Sequence, residues 1–182
     1  MTVATKTANT YALGKGSIEI QITSAMDSAV AAIVVGDVGT WVHISNILVS
    51  RTSPPRERTQ SAEFVAGDTS PIVSVAENIG EQVHTWVLMD TDGTAEDYGL
   101  AGSINIHDDI LHPCFLNNLP IPWRYTDKGK TTGNKLYTYT STDNDPRVTS
   151  VGNPEIEAGS NARAKRTYTI VTTGAPTEGT VA

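Results

Sequence analysis

His107-Asp108-Asp109, followed by His112, is the densest group of possible metal ligands in the chain. On a helix Asp108 and His112 stand one turn apart and could share a cation, because carboxylate oxygens and imidazole nitrogens both ligate divalent metals. A third and fourth ligand are not evident nearby, and a tetrahedral site needs them. The same two aspartates at the start of a helix have an ordinary use: they accept orphan N–H groups of the first turn and favour the dipole. The capping reading is preferred, and no metal or other cofactor is expected.

Other chemistry is thin. DTDGTAED, 90–97, has the outline of a calcium loop, but a calcium-binding helix-loop-helix needs its glycine at the sixth position and Gly93 stands at the fourth. A turn on Asp92-Gly93 is the better reading. The chain has no G-x-S-x-G elbow, no GxxxxGK[ST], no HExxH and no CxxC. Cys114 has His107 and His112 near it in sequence, but Pro113 and Phe115 flank it, and a lone cysteine of this kind reads as buried and inert. No catalytic residue is named.

The aromatic residues carry a second possibility. Trp123 and Tyr125 fall on one face of a strand, and Tyr137 and Tyr139 on one face of another. Such rings could stack on sugars or bases. Without a basic groove, cross-strand packing is the default, and a carbohydrate-binding module built on these four rings is the lesser alternative.

Those residues need a scaffold, and the composition describes one. The chain has 182 residues, 38% of them apolar and 18% charged, which favours a single domain with a real core. Thirteen Lys and Arg against 20 Asp and Glu give a net charge of −7, a balance unsuited to gripping nucleic-acid phosphates. The cations are scattered, apart from Arg51, Arg56 and Arg58, and Arg163, Lys165 and Arg166. One cysteine excludes an intrachain disulfide framework and fits folding in a reducing cytoplasm. MTVATKTANTYALGKG holds no continuous apolar run, so no secretory leader is expected, and no window of about 20 apolar residues suggests a membrane span.

Strand signals dominate. SIEIQI, 17–22, alternates, with Ile18, Ile20 and Ile22 on one face and Glu19 and Gln21 on the other. AVAAIVV, 29–35, reads as a buried strand joined through Gly36-Asp37-Val38-Gly39 to a second, WVHISNILVS, 41–50. PIVSVAE, EQVHTWVLMD, IPWRYT, KLYTYTS, RVTSVG and AKRTYTIVTT supply the rest. One short helix is expected within 95–118, limited by Gly99, Gly102 and Pro113. The expected fold is mainly β: a two-sheet β-sandwich or barrel at 17–173 flanked by one short α-helix, with an N-terminal arm at 1–16 and a C-terminal tail at 174–182.

RTSPPRERTQSAEFVAGD, 51–68, is out of proportion to such a fold. Hairpin connections usually take two to five residues, and loops beyond about 12 to 15 are functional or disordered. This one is charged, stiffened by Pro54 and Pro55, and closes on Phe64-Val65-Ala66-Gly67.

That loop, the following EQVHTWVLMDTDGT, a short helical region, PWRYTDKGK, RVTSV and the terminal TYTIVTT with its GAP resemble, in order, the tail tube proteins of long-tailed non-contractile bacteriophages. The resemblance covers nearly the whole chain. Phe64-Val65-Ala66-Gly67 looks like the motif on which that family closes its loop, whereas 99–114, with its His and Asp cluster, departs from the family pattern.

The resemblance implies a structural virion protein, not an enzyme. Copies form homo-hexameric rings stacked into a hollow, acidic-lined tube, through which double-stranded DNA passes without specific binding. Tape-measure, tail-terminator and distal tail proteins are the implied partners; no membrane is involved, and the location is the virion tail after synthesis in the host cytoplasm. Arg51, Pro54, Pro55, Arg56, Glu57, Arg58, Glu63, Phe64 and Val65, within an assembly loop at 51–70, are the candidate subunit interface. A head decoration or tail-completion protein is the neighbouring alternative.

Overall fold

The computed structural model describes residues 16–31, 33–54, 58–63, 72–77, 80–90, 95–126, 128–155 and 164–182, with 58–63 and 72–77 described by their backbone pairing. Two antiparallel sheets pack face to face. Sheet A has the order β11-β8-β7-β1-β2, built from Thr177–Thr180, Lys135–Tyr139, Trp123–Thr126, Ser17–Gln21 and Trp41–His43. Sheet B has the order β3-β6-β10-β9, from Leu48–Thr52, Glu81–Met89, Lys165–Thr173 and Arg147–Val151. The fold is a mainly β two-sheet sandwich and not a closed barrel.

Alternation sets the inner faces. Ile18 and Ile20 of β1 are buried, as are Trp86 and Leu88 of β6 and Tyr168 and Ile170 of β10. Trp86 meets Trp123 edge-on at 5.2 Å between ring centroids, and this contact joins the two sheets. Ile104, Ile106, Ile110, Leu111 and Cys114, all buried, close one end of the core.

The sequence assigns AVAAIVV to a strand, and the structure does not. Residues Ser24–Ala29 form helix α1, with the Thr23 hydroxyl accepting from the Met26 N–H at 3.3 Å, and Val35–Asp37 form a 3-10 turn. Thr23 is an N-cap residue, and that local signal outweighs the β-branched run. Val30 and Ile33 are buried while Val34 and Val35 are exposed, a pattern with no strand period. Asp37, itself buried, accepts N–H bonds from Val34 at 3.2 Å and Ala101 at 2.9 Å. WVHISNILVS likewise divides, into β2 of sheet A and β3 of sheet B, and so passes from one sheet to the other.

The helical region within 95–118 is a wide π turn, Ile106–Leu111, running into helix α2, His112–Leu116. Pro113 explains the widening: it has no N–H, and its ring crowds the carbonyl four residues back, which a π turn relieves. The segment 174–182 is more than a tail, because β11 pairs with β8 from Thr177↔Thr138 to Thr180↔Lys135. No helix among the described residues is long and apolar enough to cross a membrane.

β3 and β6 are antiparallel neighbours, with Thr52 opposite Thr85. Between them lie β4, Arg58–Glu63, and β5, Ile72–Glu77, paired with each other in a separate two-stranded sheet from Arg58↔Glu77 to Glu63↔Ile72. The long connection is therefore a hairpin inserted into a hairpin, and part of what reads as loop at 51–70 is strand.

Candidate functional site

His107 is fully buried, and both ring nitrogens are occupied: Nδ1 lies 2.6 Å from the Tyr168 hydroxyl and Nε2 2.9 Å from the Met89 carbonyl. Burial holds its pKa below the ordinary histidine value, against the opposing pull of the Met89 carbonyl. Asn105 caps the π turn by accepting from the His107 and Asp108 N–H groups at 2.9 and 3.3 Å, and Asp109 returns the bond by accepting from the Asn105 N–H at 2.7 Å. This reciprocal pair does the work of a capping box with the carboxylate one residue farther along, at the fourth position of the turn. Asp108 and His112 are exposed. Among the described residues no group of three His, Cys, Asp or Glu side chains is placed to hold a metal. Asp92 and Gly93 lie outside the described residues. Cys114 is buried, and burial pushes its thiol pKa up to about 12.

The four aromatic residues come together between the sheets. Tyr139 stacks on Trp123 at 4.4 Å, Trp123 on Tyr125 at 5.4 Å and Tyr125 on Tyr137 at 5.0 Å, each pair within 24° of parallel. The register explains the column, since Trp123 faces Tyr139 and Tyr125 faces Tyr137 across β7 and β8. Trp123 and Tyr139 are buried and Tyr125 and Tyr137 half-buried, so the rings form packing and not an open sugar platform.

Arg51 caps this column. Its guanidinium lies 3.6 Å from the Tyr125 centroid and 5.8 Å from that of Trp123, and it donates to the Ser53 hydroxyl at 3.0 Å. A serine-histidine pair follows, which sequence reading missed because 31 residues separate its members: His84 Nδ1 is 3.0 Å from Ser53 Oγ, and Nε2 is 3.0 Å from Thr172 Oγ1. Burial, with Arg51 nearby, lowers the His84 pKa to about 4, which makes it a poor general base at neutral pH. Among the described residues no carboxylate orients the ring, and the pair serves to satisfy a buried imidazole between the sheets.

The candidate interface residues divide along the chain. Arg51 belongs to β3 and points into the sandwich, and Pro54 is half-buried just beyond it. Arg58 and Glu63 are the first and last residues of β4, where they oppose Glu77 and Ile72. Pro55, Arg56, Glu57, Phe64 and Val65 lie outside the described residues. Beside this hairpin the sheets end on open strands: β2, β3 and β11 have no strand partner on their outer side among the described residues, and β9 has a single bridge from Pro120 to Arg147.

The outer face of sheet A holds a second arrangement that alternation concealed. Glu19 sits on the face opposite Ile18 and Ile20, yet is only 4% exposed. Its Oε2 accepts from Arg124 Nε at 2.5 Å, and its Oε1 accepts from Lys130. Burial by itself raises the pKa of Glu19, but the bonds and charges of Lys130 and Arg124 outweigh it and leave the carboxyl below its ordinary value. The Arg124 guanidinium also lies 4.2 Å from the Trp41 ring centroid. Glu19↔Arg124 and Ser17↔Thr126 are opposed in register, which sets Thr126 beside Arg124 on the same face.

No protein-family model matches the chain, and no curated protein matches it in sequence. Solved structures do. The tail of an empty GTA particle, refined with helical C6 symmetry, is 8% identical over 90% of this chain and 94% of its own, with a TM-score of 0.48. The PVC sheath/tube terminator of an extracellular contractile injection system is 10% identical over 97% and 99%, with a TM-score of 0.48. A chain of the anti-feeding prophage tube-terminating cap is 9% identical over 99% and 95%, with a TM-score of 0.47. The structures similar to this chain thus come from phage-like tails and injection tubes, those of contractile systems among them.

Proposed function

We propose that the protein is a structural subunit of a phage-type tail tube, assembling by edge-to-edge and loop-mediated contacts with copies of itself. The observation that carries the reading is the pair of sheets with open outer strands, β2 and β11 in one and β3 in the other, joined to a hairpin that pairs with neither. Open edges are an aggregation liability for a monomer, and a closed ring removes them by giving each a neighbour. The order of sequence segments supports the same assignment. In this reading six copies form a ring, rings stack into a hollow tube, and the acidic balance of −7 keeps DNA from adhering to its wall. The chain carries no catalysis of its own; tape-measure, terminator and distal tail proteins meet the tube at its ends.

The hairpin allows a clean test. Because β3 and β6 pair directly, replacing 58–77 with a short Gly-Ser turn leaves sheet B intact. Purified full-length protein, or particles that contain it, should show rings or tubes by negative-stain microscopy. The shortened variant should fold to a monomer and fail to polymerise. Normal tubes from that variant would remove the hairpin from the interface, and absence of the protein from any tail particle would end the reading.

A further inference from the structure

A cleft of about 350 Å³ opens on the outer face of sheet A, lined by Glu19, Arg124, Thr126, Lys130, Thr180 and the terminal Ala182, with Leu136 and Val181 on its apolar side. Two observations mark it as built for a ligand. First, Thr126 is 2% exposed and its Oγ1 has no hydrogen-bond partner among the described residues, though nearly all buried hydroxyls in folded proteins have one. Second, the arginine of the cleft is only partly engaged. Glu19 divides one carboxylate between two cations, Arg124 and Lys130. Arg124 uses only Nε on Glu19 and lies over the Trp41 ring, and among the described residues its two Nη groups have no partner.

We propose that this cleft is a carboxylate-binding site, in which Arg124, Lys130 and Thr126 hold the anionic end of an acidic ligand. The Nη fork of Arg124 matches the two oxygens of a carboxylate, Lys130 supplies the second charge, and the Thr126 hydroxyl gains the acceptor it lacks. The surroundings favour acids: Arg124, Lys128, Lys130 and Lys135 place four of the chain's 13 cations within 12 residues of an otherwise acidic protein. The carboxylate has two possible sources, a free small acid or an Asp or Glu side chain of a second copy, and neither requires the tube reading.

The test uses the full chain at low concentration, titrated with sodium succinate against sodium chloride of equal ionic strength and followed by amide NMR. Saturable shifts at Thr126 and the Trp41 indole, weakened at least several-fold in Thr126→Val and in Lys130→Met, are expected. Thr126→Val separates binding from structure: losing an unpaired buried hydroxyl should leave thermal stability unchanged or raised, while binding falls. Raising the protein concentration without succinate distinguishes the source. The same shifts with a rising sedimentation coefficient, both reversed by succinate, assign the acid to a second copy; their absence, with succinate still binding, assigns it to a free acid. No saturable change with succinate and no concentration-dependent shift at Thr126 would overturn the proposal.

Discussion

The guanidinium of Arg51 lies over the ring of Tyr125, 3.6 Å from its centroid, so that a charged residue of β3 in one sheet closes over an aromatic column belonging to the other. A residue placed at the start of a candidate interface thus has a structural duty inside the subunit. Arg51→Ala should cost about 1 to 2 kcal/mol in urea denaturation, from the lost cation–π contact and the packing of the arginine stem. Arg51→Lys should recover only part of this, because an ammonium cannot stack as a plane. Equal stability of the alanine variant and the wild type would place the energetics elsewhere.

Acid should weaken the protein before its carboxylates titrate. His84 is neutral when folded, with a pKa near 4, and takes up a proton near 6.5 when unfolded. The unfolded chain therefore binds more protons between these values, and stability falls as pH drops from about 6.5 toward 4, by up to about 3 kcal/mol for full expression of the shift. His107 acts in the same direction. Thermal melts at pH 7.5 and 4.5 check this. His84→Gln should be less stable at pH 7.5 but show a smaller loss on acidification, and an unchanged loss would refute the assignment.

Cys114 should behave as a clock for unfolding. It is fully buried, with its thiol pKa raised to about 12 by burial, so a thiol reagent should label the native protein no faster than the chain opens. Rapid labelling at neutral pH without denaturant would contradict the packing of α2 against the core.

Gly152 has a role that its backbone conformation does not reveal. A Cβ there would come 2.9 Å from the Thr167 carbonyl oxygen, the same atom that accepts the Gly152 N–H at 2.7 Å. Backbone cannot step aside cheaply. Gly152→Ala should destabilise by about 1 to 3 kcal/mol with a lower urea midpoint, and a neutral result would show that β9 yields.

Alternation made much of the fold legible. The β1 segment announces its inner face in Ile18 and Ile20, and the column formed by Trp123, Tyr125, Tyr137 and Tyr139 follows from two strands whose aromatic faces are both visible in sequence. What stayed hidden depends on partners distant in the chain. Glu19 occupies a position that alternation gives to solvent, and only Arg124 and Lys130, 105 and 111 residues away, explain its burial. The AVAAIVV run misled because apolar, β-branched residues satisfy a buried turn as well as a buried strand, and only the Thr23 cap separates the two. β11 was illegible for the opposite reason. All four of its residues are exposed, so its place in sheet A rests on backbone bonds to β8 that leave no trace in composition.

The aromatic column has a consequence for how this molecule can be watched. Tyr139, Trp123 and Tyr125 are held nearly parallel with centroids 4.4 and 5.4 Å apart, close enough for their electronic transitions to mix. The sandwich thereby contains an optical antenna in sheet A whose near-ultraviolet circular dichroism senses sheet B through Trp86, which meets Trp123 edge-on at 5.2 Å. Any event that pries the sheets apart, or presses them closer as subunits join, will register in that band without a label.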